Sequence, residues 1–153
     1  MRLSRAVLAV LLLVGTGSAM AATPATGLGQ AWPNATDYST NPNYHVYVFS
    51  LGGVQYIQVN DGNGNVLGSV GTAGGQFITL PIGRFAQQVA TPSQAPTAST
   101  GASPTAAPTP VYNDGTTAVT ATPLSDGTMR LNAASAQAAC DPIDCNIKGI
   151  AAQ

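Results

Sequence analysis

Between Tyr44 and Gly83 the chain alternates four short apolar runs with three glycine-bearing turns. Runs of about four to eight β-branched, aromatic and aliphatic residues between such turns are typical of strands. The turns are Gly52 and Gly53, residues 61–64 and residues 72–75. Because all three turns are short, consecutive strands must pair antiparallel. The pattern therefore predicts a mainly β fold built on a four-stranded antiparallel meander.

The period of two along a strand divides this meander into two faces. The turns predict these cross-strand pairs: Leu51–Val54, Phe49–Tyr56, Val59–Val66, Tyr56–Ser69 and Val70–Phe77. One face is aliphatic and suited to a core: Val46, Val48, Ile57, Val59, Val66, Val70 and Phe77. The other is apolar with Tyr, His and Gln among its members: His45, Tyr47, Phe49, Leu51, Val54, Tyr56, Gln58, Leu67, Ile78 and Leu80. Both faces need cover, so we expect a small sheet, sandwich or half-barrel completed by flanking segments or a second copy.

The segments around the meander are poor in large apolar side chains. Residues 22–43 are predicted to be a lead-in coil, residues 44–90 the β-module, and residues 111–153 a low-order tail. Residues 91–110 contain only small, polar and Pro residues, which indicates an extended Pro/Thr/Ala-rich linker. We therefore expect disordered flanks, although the tail has a faint strand-turn-strand signal around residues 125–127 and a short helix signal after Asn132.

The N-terminus has the features of an export signal. Arg2 and Arg5 precede an apolar stretch over residues 6–14, and Ala19-Met20-Ala21 matches a cleavage site. The stretch is too short to cross a bilayer comfortably. We predict that residues 1–21 are a signal peptide cleaved after Ala21, that the mature protein is periplasmic or secreted, and that it has no membrane span.

Cleavage leaves few charges. Three cations minus six aspartates gives a net charge of −3, and the chain has no Glu. Such a chain lacks the basic patch that binds phosphate backbones, so nucleic acid is not an expected partner. A homo-oligomer, or an envelope or protein partner, is expected instead.

The second face of the meander is the candidate binding surface. His45, Tyr47, Phe49, Tyr56 and Gln58 combine rings with polar tips, a composition found at protein interfaces and on sugar-binding platforms. Trp32 joins this set from the lead-in. The alternative is that these residues are good strand formers under a loop, with the lead-in laid over the sheet and Trp32 as its anchor.

Several catalytic and metal motifs were tested against the sequence. Residues 61–65 place oxygen ligands at alternate positions, but the Gly and Glu that a calcium loop needs are absent at the sixth and twelfth positions. No phosphate-binding loop or nucleophile elbow is present. His45 is the only His and has no acid beside it in the sequence. We therefore predict no catalytic residue, no metal and no cofactor, and a protein that is not an enzyme.

Cys140 and Cys145 are the sharpest chemical feature of the tail. Two cysteines with four residues between them in an exported chain favour a local structural disulfide. Redox exchange and metal binding are weaker alternatives, because the spacing is not C-x-x-C.

Residues 58–61 (QVND), 71–75 (GTAGG) and 80–83 (LPIG) resemble a segment of small uncharacterised exported proteins of gammaproteobacteria. The resemblance covers about forty residues; it implies export and a self-contained β-unit, and no activity. The leading expectation is a non-enzymatic β-module for protein-protein interaction or self-association. The alternative is a carbohydrate- or envelope-binding module that uses Tyr47, Tyr56 and Trp32, and the third is a hydrolase that uses His45.

Overall fold

The computed structural model describes residues 24–97 and 101–139, which contain two four-stranded sheets. The first sheet has the order β1-β2-β3-β4, and every neighbouring pair is antiparallel. Its strands are β1 (Tyr44–Leu51), β2 (Val54–Asp61), β3 (Val66–Ala73) and β4 (Gln76–Leu80). The predicted mainly β fold and its antiparallel meander are therefore confirmed.

The first hairpin has the predicted register, but the second does not. Leu51 lies opposite Val54 as expected. A bulge after Val59 places that residue opposite Gly68, whereas the sequence predicted Val66. A bulge adds an unpaired residue to one strand, and no turn signal marks its position in the sequence.

The third hairpin is also shifted. Its turn has two residues rather than four, so Val70 lies opposite Thr79 and not Phe77. Because this shift is an even number of residues, Val70 and Phe77 still share the inner face. Leu67, predicted on the outer face, instead belongs to the buried core, because it lies in the bulged part of the second hairpin.

Three strands of the second sheet come from the segments predicted to be linker and tail, and the fourth, β5, lies at the end of the predicted β-module. The sheet has the order β5-β8-β7-β6, with β5 parallel to β8 and the other pairs antiparallel. Its strands are β5 (Val89–Ala90), β6 (Thr109–Asn113), β7 (Thr117–Pro123) and β8 (Met129–Ser135). Short 3-10 turns span Ala86–Gln88 and Ala136–Ala139.

This second sheet differs from the expectation of an extended linker and a low-order tail. Pro104 bridges Leu124, and Thr109 begins a strand within the predicted linker. The strand-turn-strand signal matches β7 and β8, whereas the helix expected after Asn132 is replaced by strand and a 3-10 turn. Sequence reasoning undervalued these strands because they are rich in Ala and Thr rather than in large aliphatic side chains.

The two sheets pack face to face around one core, which makes the fold a small sandwich. The buried core contains Val46, Ile57, Val59, Leu67, Val70, Phe77, Val89, Val111, Tyr112, Val119, Ala121, Leu131 and Ala133. Small residues allow the sheets to approach closely: a Cβ on Gly68 would lie 2.8 Å from side-chain carbons of both Leu131 and Val89. The tail sheet therefore supplies the cover that the inner face required.

The lead-in closes one side of the sandwich. The Tyr38 amide donates to the Val46 carbonyl at 2.7 Å, and the Thr40 amide donates to the Val111 carbonyl at 2.9 Å. Val46 is in β1 and Val111 is in β6, the edge strands of the two sheets. The segment therefore protects two strand edges that would otherwise present unpaired backbone groups.

Candidate recognition surface

The middle of the predicted binding face is covered by the lead-in. Gln58 is completely buried, although it was predicted to lie on an open surface. Its Oε1 accepts a hydrogen bond from the Gly29 amide at 2.6 Å, and its Nε2 donates to the Gln30 carbonyl at 2.8 Å. Gln58 therefore binds the backbone of this chain.

Asn60 also holds the lead-in, although it was not identified from the sequence. We refer to the buried side chains of Gln58 and Asn60 as the amide clamp. The Asn60 Nδ2 donates to the carbonyls of Ala31 at 2.7 Å and Gly64 at 3.2 Å. Its Oδ1 accepts a hydrogen bond from Gln58 at 2.9 Å. Buried amides are stable only when they are hydrogen-bonded, and these two achieve that by fixing the lead-in. The available signal was a pair of amides at alternate positions of an otherwise apolar strand.

Two of the predicted aromatic residues are also buried. Tyr47 and Phe49 are each 5% exposed, so neither ring can serve as an open platform. Tyr56 is half-buried. The predicted aromatic face is thus mainly interior, because the lead-in lies over it.

The turn end of the same face remains open. Leu51 is 73% exposed and Ile78 is 54% exposed, and Tyr56 lies between them across the sheet. Gly71, between Tyr56 and Ile78, has no side chain, and a Cβ there would lie 2.9 Å from Ile78 Cγ1. We refer to Leu51, Tyr56 and Ile78 as the open patch.

His45 has an acidic partner that the sequence did not reveal. Its Nδ1 lies 2.7 Å from Asp37 Oδ2, and Asp37 is part of the lead-in. Asp37 Oδ1 also accepts hydrogen bonds from the backbone amides of Val46 and Ser39, at 2.8 and 2.9 Å. Burial alone would raise the pKa of Asp37, but these amides and His45 outweigh it and hold that pKa below its ordinary value.

The hydrogen bond between Asp37 and His45 orients the imidazole ring of His45. Because an ionised carboxylate only accepts hydrogen bonds, Nδ1 of His45 must donate to Asp37. Within residues 24–97 and 101–139, the only side-chain hydrogen bond of the His45 ring is this one. The His45 ring stacks on Tyr47 with centroids 6.3 Å apart and meets Trp32 edge-on at 5.1 Å. The three rings therefore form a row that ends at Trp32.

Trp32 is the exposed end of that row. Its side chain is 59% exposed, so it does not anchor the lead-in by burial, contrary to expectation. The indole lies directly over Gly64, where a Cβ would come within 2.6 Å of Trp32 Cε2. Gly64 also has a φ of +84°, a conformation that favours glycine. Trp32 thus presents one indole face on a rigid support.

Beside Trp32 begins a groove that the sequence did not predict. A cleft of about 530 Å³ is lined by the turn around Gly64, by Asn63 and Asn65, and by Arg84. It shares Gly83 and Arg84 with a second cleft of about 580 Å³. We refer to the two clefts together as the Arg84 groove. Arg84 lies where the two clefts meet, and its guanidinium is 5.7 Å from the centre of the Phe85 ring.

The Asp61 turn, which shapes the first cleft, is closed by hydrogen bonds to its own carboxylate. Asp61 Oδ1 accepts hydrogen bonds from the amides of Asn63 and Asn65, and Oδ2 accepts one from the Asn65 side chain. Burial raises the pKa of Asp61, but these hydrogen bonds and the charge of Arg84 bring it below its ordinary value. In the part of the chain that the structure describes, no cluster of three or more His, Cys, Asp or Glu residues could hold a metal ion.

Some predictions fall elsewhere in the chain. The signal peptide over residues 1–21 and the Cys140–Cys145 disulfide lie outside the described residues. Among residues 24–97 and 101–139, no helix has the length and apolar character required to span a bilayer.

Comparison with known proteins gives no match to a family model, to a curated protein or to a solved structure. The resemblance to exported gammaproteobacterial proteins therefore stays a prediction.

Proposed function

We propose that this chain is a non-enzymatic binding module of an exported protein, and that its ligand is a carbohydrate of the cell envelope. The observation that carries the proposal is the exposed indole of Trp32, which packs on Gly64, a residue that lines the first cleft of the Arg84 groove. The export signal at residues 1–21 supports an envelope location.

The chemistry around Trp32 suits a sugar. One face of a pyranose ring carries C–H groups that pack on an indole, while its hydroxyls need donors and acceptors at the ring edge. Asn63 and Arg84 line the adjoining cleft and are both exposed, so they are accessible for hydrogen bonds to hydroxyls. Among the residues that the structure describes, no Asp or Glu lines either cleft of the groove.

The His45–Asp37 pair has a place in this proposal as a support. The pair holds the His45 ring against Trp32, so less side-chain conformational entropy is lost when a ligand binds. The hydrolase that the sequence suggested as a third interpretation would instead use His45 as a base, and loss of a detected hydrolysis in His45→Ala would support it.

The test compares two aromatic residues of the lead-in. Trp32→Ala should weaken binding to an envelope oligosaccharide by about tenfold or more, as expected for removal of an aromatic anchor. Tyr38→Ala is the matched control, because Tyr38 is similarly exposed, whereas Trp32 is the side chain that packs on Gly64 at the edge of the first cleft. Equal affinities of both variants and the wild type, measured by calorimetry, would contradict the proposal.

The second candidate is association with a protein partner or a second copy through the open patch. Its support is the exposure of Leu51 and Ile78 on a face with no charged side chain in the patch. Three side chains cover much less than the roughly 800 Å² per partner of a stable complex, so the contact would be transient. Ile78→Asp should abolish concentration-dependent association in sedimentation velocity, and Gln76→Asp, on the same strand, should not.

A further inference from the structure

The outer edge of β4 is a strand edge without cover. Within residues 24–97 and 101–139, no other segment pairs with it, whereas the edge strands β1 and β6 are both bonded to the lead-in, at Val46 and Val111. The sequence of β4 is QFITL, which has no charge, proline or glycine. Charges, prolines and covering segments are the usual means by which proteins prevent edge-to-edge pairing. β4 therefore has the composition of a strand that can pair.

The register of the third hairpin determines which backbone groups of β4 face outwards. The two-residue turn at 74–75 makes Ala73 and Gln76 a hydrogen-bonded pair, and such pairs alternate with non-hydrogen-bonded pairs along an antiparallel ladder. Phe77 and Thr79 belong to the second kind of pair. Their N–H and C=O groups therefore point away from β3, towards the open edge.

These outward groups have space beside them. In the part of the chain that the structure describes, their only hydrogen bond is a long one, from the Thr79 amide to Oε1 of Gln94 at 3.4 Å. Gln94 is exposed, so its side chain can rotate away. Thr79 lines the second cleft of the Arg84 groove, and Phe77 lines a separate cleft of about 360 Å³. Two donors and two acceptors at this spacing select an extended strand as their partner.

A second copy of β4 matches this pattern. If a two-fold axis passes beside Ile78, Phe77 of each copy lies opposite Thr79 of the other, and the two pairs form four backbone hydrogen bonds. Ile78 then lies opposite its own copy in a non-hydrogen-bonded pair, where side chains are closest. This side chain is 54% exposed, so the contact buries apolar surface.

The charges of the chain allow this arrangement. On a two-fold axis a charged side chain would meet its own copy, and β4 has none, although the chain as a whole is acidic. We propose that β4 pairs antiparallel with β4 of a second copy, which joins the two four-stranded sheets into one continuous sheet. This inference is independent of the carbohydrate function, and it gives the second candidate function a defined geometry.

The first experiment removes one outward donor from β4. Thr79→Pro deletes the Thr79 N–H, which the ladder with β3 does not use, so an edge position tolerates it. The dimer then loses two of its four hydrogen bonds, and self-association in sedimentation velocity should weaken by about tenfold or more. Ser50→Pro is the matched control, because Ser50 is exposed and faces outwards on the β1 edge by the same alternation. It should leave self-association unchanged.

The second experiment tests the register and does not depend on the folding of the proline variants. Ile78→Cys places two thiols opposite each other in the proposed dimer, so air oxidation should give a covalent dimer on a non-reducing gel. Gln76→Cys, on the same face of the same strand, is the control, because its two copies would lie about 13 Å apart along the strands. Cys140 and Cys145 are replaced by Ser in both variants, so that only the introduced thiols react.

The outcomes separate this inference from both candidate functions. Association that survives Thr79→Pro and is lost in Ile78→Asp would mean that the open patch binds through side chains alone, and would overturn strand pairing. Loss of association in Ser50→Pro would place the pairing at β1 and overturn the inference. Equal cross-linking of Ile78→Cys and Gln76→Cys would overturn the register. A protein that stays monomeric at every concentration would overturn the inference and leave glycan binding, tested by Trp32→Ala, intact.

Discussion

The inner face of the first sheet and the middle of its outer face are both covered, but by opposite kinds of chemistry. The inner face packs β-branched and aromatic side chains against the second sheet, and Ile57 and Val59 are almost completely buried there. The outer face is covered by a coil, and its central residues Gln58 and Asn60 are amides bonded to backbone carbonyls and an amide of that coil. One cover is held by apolar area and the other by hydrogen bonds.

The difference shows how this chain obtains a defined surface without a regular element. A coil has unpaired backbone groups that must be satisfied wherever it lies against the fold. Gln58 and Asn60 satisfy such groups of the coil from the sheet, and in return Asp37 of the coil accepts a hydrogen bond from the Val46 amide of the edge strand β1. The coil then holds Trp32 outwards over Gly64. The inner face gives stability, and the outer face gives the surface on which we propose recognition.

The largest expected effect is on the inner face. Ile57→Ala should lower the free energy of unfolding by roughly 2–5 kcal/mol, because it removes buried contacts and leaves a cavity. The same substitution at the exposed Ile78 should change it by less than about 0.5 kcal/mol. Urea unfolding followed by circular dichroism measures both. Similar values for the two variants would mean that the inner face is not the principal core.

A smaller effect is expected for the amide clamp. Gln58→Leu should lower the free energy of unfolding by about 1–3 kcal/mol, because the Gly29 amide and the Gln30 carbonyl lose their partner. Leu51→Gln, which places an amide on the open patch, is the control, because it makes the reverse exchange of residue types at an exposed position. If Gln58→Leu stabilises the protein, apolar packing rather than hydrogen bonding holds the coil, and the contrast between the two faces disappears.

The smallest expected effect is the change of stability with pH. The pKa of Asp37 is lowered in the folded state, so its contribution to stability is complete above its ordinary value of 3.8 and is lost as the pH falls through the lower folded value. Unfolding midpoints should therefore decrease below about pH 4, and Asp61 and Asp114, whose pKa values are also lowered, act in the same direction. Asp37→Asn should reduce this dependence. If the unfolding midpoint of that variant depends on pH as it does in the wild type, Asp37 does not contribute to the acid sensitivity of the fold.

The local parts of the fold could be predicted from the sequence, and the tertiary parts could not. Short glycine turns determined the meander, because hairpin pairing depends on neighbouring residues. The bulge after Val59 and the strands rich in Ala and Thr had no local signal of comparable strength. Their stability comes from packing between sheets that are distant in the sequence.

The candidate site was predictable only in part for the same reason. Trp32 and His45 were identified from their residue types, and the structure brings them together at 5.1 Å. The burial of Tyr47 and Gln58 follows from the path of the lead-in, which has no periodicity to reveal it. Asp37 and Arg84 acquire their roles from contacts or clefts that exist only in the folded chain.

The most direct test of the central claim uses the single tryptophan of the chain as its own reporter. Because Trp32 is exposed and packs on Gly64 at the edge of the first cleft, its emission should shift to shorter wavelength and saturate as an envelope oligosaccharide is added to the purified protein. The emission of Trp32 should stay unchanged when the same concentrations of free glucose are added. An emission spectrum that does not respond to envelope oligosaccharides would contradict the claim that the coil-covered face is a carbohydrate-binding surface.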